Sequence, residues 1–198
     1  MEYPSQLIES AVEEISKLPG IGKKTALRLA LHLLKQPTNA TLELSDSLKN
    51  LREKIKYCNT CHIIADTEEC TCQNAYRDAT VICVVEDTPD VLAIRNTGQY
   101  TGLFHVLGGR ISPMDGIGPE DLAIDALIKK IQNTEVSEII LALSATVDGQ
   151  STAHVLSDHI LDLDNPPQIT KLAHGVPVGG ELDYLDDGTI TTALHSRG

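Results

Sequence analysis

The sequence predicts a mixed α+β and α/β chain, and three observations carry that reading. Apolar residues at helical spacing surround a glycine turn near the start of the chain. Four of the five cysteines crowd into residues 58–72. From residue 80 onward, β-branched runs alternate with helical patterns, the rhythm of a mainly parallel sheet flanked by helices. The expected organisation is a helical region over residues 1–56, a four-cysteine loop over 57–79, an α/β unit over 80–174 and a short C-terminal segment over 175–198.

In the first region, Ile8, Val12 and Ile15 mark the apolar face of one helix, which Pro19 and Gly20 stop. A second helix carries Leu27, Leu31 and Leu34, expected in the core. Between them runs Leu18-Pro-Gly-Ile-Gly-Lys. Gly20 and Gly22 carry no Cβ and so let a ligand approach the backbone closely. The free N–H groups of the next helix point outward at an anionic oxygen. Lys23 and Lys24 at its start, with Arg28 one turn beyond Lys24, add charge without base specificity, so the natural ligand is a nucleic-acid phosphate. This is the helix-hairpin-helix pattern of sequence-independent DNA binding. A plain αα-hairpin is the bland alternative.

The formal net charge is −12, but it is unevenly distributed. Residues 15–57 carry nine Lys or Arg against three acids, whereas residues 58–198 carry seven against 21. A basic region joined to an acidic body implies DNA contact along one face only. With 198 residues the chain suits one or two small domains with real cores. Its longest apolar runs, Val81–Val85 and Ile139–Leu143, are far too short to span a bilayer. The opening Met-Glu-Tyr-Pro lacks the basic and apolar stretches of a signal peptide. A soluble cytoplasmic protein without a membrane partner is expected.

The cysteine cluster reads Cys58-x2-Cys61, eight residues, then Cys70-x-Cys72. In a cytoplasmic chain such clustering favours a metal over disulfides. Four thiolates surround Zn²⁺ tetrahedrally, and one structural zinc holds together a loop with little core of its own. Redox-active or free thiols are the alternative. His62 is a possible substitute ligand, with a surface role expected. Cys83 falls inside a strand pattern and is expected to be buried.

In the acidic half, Thr80–Val85 reads as a strand buried on both faces and ending at Glu86. Thr88-Pro89-Asp90 reads as a helix start with Thr88 as its cap. Further strands are expected at Leu103–Leu107, Ile139–Leu143 and Ile169–Ala173, and helices over about 119–132 and Ser151–Leu161. Glu86 sits where α/β sheets place ligands. Carboxylates there can hold Mg²⁺. Yet after Ile139–Leu143 comes only Asp148, with no Asp-x-Asp pair. Gly175–Leu182 lacks the lysine of a phosphate-binding loop, so ATP is not expected there.

The order of these parts, with the strings Val84-Val85-Glu86, His105-Val-Leu-Gly-Gly, Ser112-Pro-Met-Asp-Gly-Ile-Gly-Pro119 and Ala173-His-Gly-Val-Pro-Val-Gly-Gly-Glu-Leu182, resembles the RecR family of bacterial recombination mediators across essentially the whole chain. The resemblance implies a Toprim-like α/β domain, a C4 zinc finger and a non-enzymatic DNA-repair role. It implies a ring-shaped homotetramer binding single-stranded, double-stranded and gapped DNA. Working with RecO and RecF, such a ring helps load RecA on gapped DNA coated by single-strand-binding protein. Carried onto this chain, Lys24 and Arg28 match the basic DNA-contacting positions, and Lys23 stands where many relatives have proline. Cys58, Cys61, Cys70 and Cys72 match the zinc ligands, with Cys-x-Cys replacing Cys-x2-Cys. Glu86 and Asp148 match the acidic edge that engages RecO, Asp148 standing where glutamate is usual. Arg95 stands where relatives often carry an acid. The competing class is a Mg²⁺-dependent Toprim nuclease or primase-like enzyme using Glu86 and Asp148.

Overall fold

The computed structural model describes residues 3–65, 76–173 and 175–195. It divides into two compact units, Met1–Ile55 and Lys56–Gly198.

The first unit holds α1 (Gln6–Ser16), α2 (Lys23–Leu34) and α3 (Thr38–Lys54). Ser5 caps α1, its Oγ accepting the Leu7 N–H at 3.2 Å. The core is Val12 against Ala26 and Ala30, with Ile8, Ile15, Ile21 and Leu27 around it. The alanine pair, one turn apart, forms the face that α2 turns towards α1. Successive helical residues rotate by about 100°, which carries the leucine stripe to the side of that face. Leu31 and Leu34 are consequently 42% and 68% exposed, not the core residues expected from their spacing. The third helix was not distinguished in the sequence. Its 17 residues include none that are buried.

The second unit starts with a short antiparallel pair, β1 (Lys56–Tyr57) and β2 (Ile64–Ala65), flanking the first two cysteines. There follow β3 (Asp78–Val85), α4 (Thr88–Asn96), β4 (Gly102–Val106), α5 (Ile124–Asn133), β5 (Glu138–Ala142), α6 (Val147–Leu161), β6 (Gln168–Lys171) and α7 (Asp187–His195). The sheet has the order β4-β3-β5-β6, with every neighbouring pair parallel, as the βαβ rhythm predicts. On one face Ile82, Val84, Leu103, Ile139 and Leu141 pack against Leu127 and Ile131 of α5 and Leu156 and Ile160 of α6. On the other, Cys83, Val85, Phe104 and Val106 pack against Val91 of α4 and against Cys61 and Ile63. Cys83 is buried, as expected, and its surroundings push the thiol up to about 12, mainly by burial.

Several boundaries differ from the sequence expectation for identifiable reasons. The buried part of β3 is Ile82–Val85, while Asp78–Thr80 is exposed, so burial on both faces holds only for the carboxyl half. Asp87, not Thr88, caps α4: its Oδ1 accepts the Thr88 N–H at 2.7 Å while Asp90 Oδ2 accepts the Asp87 N–H at 3.0 Å. This reciprocal box outcompetes a threonine one residue later. Pro119–Asp121 is a separate 3₁₀ turn, and α5 begins at Ile124. Thr146 caps α6, accepting the Gly149 N–H at 3.1 Å, and so starts that helix four residues before Ser151. The C-terminal segment also contains α7, which its glycines hid.

Candidate nucleic-acid hairpin and carboxylate edge

The hairpin is built as its glycines require. Gly20 has φ +77°, a left-handed conformation that side chains other than glycine rarely adopt. Gly22 is extended at φ −81° and begins α2 as its cap, with no side-chain cap hydrogen bond to the first turn. A Cβ on either glycine meets no protein atom within 4 Å. Packing within the chain therefore does not demand glycine at 22. Absence of a Cβ there instead leaves the helix start open to an outside ligand.

Along α2, Lys24, Arg28, His32 and Lys35 share one side of the helix with Leu27 and Leu31, lining a groove of about 390 Å³. Lys24 and Arg28 thus fall together as expected, whereas Lys23 does not line the groove. Lys35 and His32 extend the cationic stripe and were not singled out in the sequence. Their positions, His32 four residues after Arg28 and Lys35 three after His32, were the available signal.

The second surface lies at the carboxyl ends of β3 and β5, where the strand order reverses. Glu86 follows β3 directly. Its Oε1 accepts the Ser144 N–H at 2.7 Å, and its Oε2 accepts a bond from an Arg110 terminal nitrogen at 3.3 Å. The same guanidinium pairs through Nε with Asp148 Oδ2 at 3.7 Å. Glu86 and Asp148 are thus brought together, but through an arginine that the sequence did not reveal. The positioning is indirect. Buried Thr152 donates its hydroxyl to the Asp148 carbonyl at 2.7 Å and accepts the Ile111 N–H at 2.9 Å. That bond holds the 110–117 loop, closed by the Ser112–Ile117 bridge, against α6 and sets Arg110 beside Asp148.

Burial opposes ionisation of Glu86, but the Ser144 bonds and Arg110 outweigh it, leaving its carboxyl below the usual range. Two carboxylates sharing one guanidinium form a partly neutralised ion-pair cluster of net charge −1 in which both acids are already engaged.

The cysteine turn is visible in part. Cys58 N–H donates to the Ile63 carbonyl at 3.0 Å, and His62 N–H donates to the Cys58 carbonyl at 2.8 Å. Thr60 N–H points at Cys58 Sγ at 3.4 Å, the backbone-to-sulfur bond that stabilises a thiolate ligand. His62 takes the left-handed conformation at φ 56° to close the turn. The Cys61 carbonyl accepts the Val106 N–H at 2.9 Å, anchoring the turn beside β4. Cys70 and Cys72 lie outside the described residues, and no group of three or more metal-ligating side chains forms among the described ones. Cys58 and Cys61 fit a thiolate pair. Arg95 lies on α4 with its guanidinium 5.4 Å from the Phe104 ring centre, a cation–π contact.

An uncapped glycine hairpin with a cationic helix and a four-stranded parallel sheet with a glutamate at its switch point define a helix-hairpin-helix protein with a Toprim-type domain. Family models agree with that class: "RecR, helix-hairpin-helix" matches residues 8–52, "Toprim domain" residues 80–173 and "RecR, C-terminal" residues 175–197. The recombination protein RecR of Cytophaga hutchinsonii is 51% identical over 199 residues, covering 100% of this chain and 96% of that protein. That of Flavobacterium johnsoniae is 50% identical, covering 100% and 95%, and that of Amoebophilus asiaticus 49%, covering 100% and 98%. The chain belongs to the RecR family of recombination proteins.

The ion-pair cluster has a defined pH signature. Glu86 titrates lower when folded than when unfolded, so its stabilisation is complete above the unfolded carboxylate range near ~4.3 and lost as pH falls through the folded value. Urea midpoints of the parent and Glu86→Gln should differ most at neutral pH and converge in acid. A difference that persists or grows below that range contradicts the assignment.

Proposed function

We propose that this chain is a non-enzymatic DNA-repair protein of recombinational repair that binds DNA without sequence preference through its hairpin. The open, uncapped start of α2 beside Lys24 and Arg28 is the observation that carries the reading. Phosphate oxygens would sit on the first-turn N–H groups, with Lys23, Lys24, Arg28 and Lys35 supplying the salt-sensitive attraction. Such contacts serve single-stranded, double-stranded and gapped DNA alike, because none of them reads a base.

The chain acts as an oligomeric clamp, a homotetramer in the reading its family supports. The exposed leucines of α3, Leu42, Leu44, Leu48 and Leu51, favour an assembled form because isolated chains rarely leave such a face in water. In the cytoplasm, where no described helix is long and apolar enough to cross a membrane, the clamp works with RecO and RecF to promote RecA loading on gapped DNA coated by single-strand-binding protein. The acidic edge at Glu86 and Asp148 is the RecO surface. Asp148 is the more exposed of the two and the better direct contact. Engagement of both carboxylates by Arg110 favours this binding role over Mg²⁺-dependent nuclease or primase chemistry.

One structural zinc is held by Cys58, Cys61, Cys70 and Cys72. When bound, the metal cross-links two thiolate pairs and contributes folding energy. Cys58 and Cys61 form the described turn, and backbone bonds from Cys58 to Ile63 and from Val106 to Cys61 seat it beside the sheet.

Lys24→Glu/Arg28→Glu should weaken binding to gapped duplex at least tenfold at low salt while leaving RecO binding intact. Asp148→Lys should do the reverse. Equal DNA affinity in the first variant, or equal RecO affinity in the second, would sink the respective assignment. For the metal, elemental analysis of purified protein should find about one zinc per chain, with Cys58→Ser losing it and unfolding at lower denaturant. Zinc-free protein of undiminished stability would count against it.

A further inference from the structure

A cleft of about 530 Å³ between the cysteine turn and α5 belongs to neither surface described above. The turn contributes Asn59, Thr60 and His62, and α5 contributes Ala126, Lys129 and Lys130. Lys130 is only 8% exposed, and its ammonium nitrogen is buried without a hydrogen-bond partner. A buried, unpartnered ammonium is costly, and no acid among the described residues forms an ion pair with it. Asp125, the one carboxylate among the described lining residues, is itself exposed and forms no ion pair among the described residues. Two adjacent lysines in this cleft stand out against a half of the chain that carries 21 acids and seven basic residues from 58 onward.

Apart from Asp125, His62 and the two lysines, the polar lining groups are amides and hydroxyls. Asn59 and Thr60 supply an amide and a hydroxyl donor, and lysine ammonium groups present three donors each to an oxyanion. Ala123 and Ala126 are small and leave an apolar floor beside those donors. Donors and cations beside an apolar floor suit a phosphate joined to an organic group better than a bare ion.

We propose that this cleft binds a phosphate ester, with exposed Lys129 on the phosphate, the buried charge of Lys130 behind it and the Ala123–Ala126 surface under the sugar or base. The ester is either a nucleotide unit of a DNA strand or a free mononucleotide. The site lies on the second unit and is built from residues that the hairpin does not use, so it stands or falls separately from hairpin binding.

The test uses the full chain carrying Lys24→Glu/Arg28→Glu, which removes the hairpin contribution. Its amide spectrum is followed while oligothymidylate or AMP is added separately. Saturable shifts of Thr60 and Ala126 are expected with at least one probe. Shifts with AMP identify a free nucleotide, and shifts with the oligonucleotide alone identify a strand. Lys129→Gln, at an exposed position, should weaken that binding about tenfold. Lys130→Met keeps the buried stem and should do the same. The proposal is overturned if neither probe moves Thr60 and Ala126, or if both variants remain folded by circular dichroism and bind as tightly as their parent. Loss of DNA binding in Lys24→Glu/Arg28→Glu with AMP binding retained would separate the two sites. Hairpin binding that fails in the otherwise unmodified chain would overturn only the earlier reading.

Discussion

Pairing of β3 with β5 is the constraint on which the acidic surface depends. The register sets Val85 opposite Ala142, so each chain leaves the sheet at the same level. Glu86 then meets the Ser144 amide, and the switch-point crevice is closed by a hydrogen bond at 2.7 Å. A one-residue slip would turn Glu86 to the other face and separate it from Arg110 and Asp148. Sheet register, helix cap and loop anchor therefore cooperate. Thr146 starts α6 next to that crevice, Gly149 lies so tightly against the Ser144 carbonyl that a side chain would not fit, and Thr152 fixes the loop that delivers Arg110.

The two units divide their electrostatics. In the first, cations on α2 stand next to an uncapped helix start, and both features attract anionic oxygen. In the second, acids dominate, and the pair at the switch point shares a single guanidinium that is itself partly exposed and leaves one negative charge over. Such a cluster is weakly stabilising in water. Its more consequential property is that Arg110 and Asp148 both remain accessible for exchange with a partner's charges.

Legibility in the sequence followed the range of the interactions. The hairpin was readable because its glycines, its proline and its lysines lie within a few residues of one another. The strands were readable because β-branched runs announce buried parallel pairing. Arg110 was not, since its position is set by a bond between Ile111 and Thr152, 41 residues apart. Helix starts slipped where two capping residues stood side by side, as at Asp87 and Thr88, or where a proline opened a 3₁₀ turn instead of a helix. The leucines of α2 misled because small alanines, which weigh little in an apolar pattern, form the contact with α1. Helix α3 buries nothing in this chain, so its leucines gave no sign of a core. The shared surface of Lys24, Arg28 and Lys35 needed the groove to be seen.

The proposed seat of DNA phosphate is the start of α2. Amide shifts recorded while a short duplex is added to the full chain test this directly. The prediction is that Gly20 to Thr25 move most, with Arg28 and Lys35 following, and that the shifts fade as salt is raised. Shifts confined to the second unit, with Gly20 to Thr25 unmoved at low salt, would contradict it.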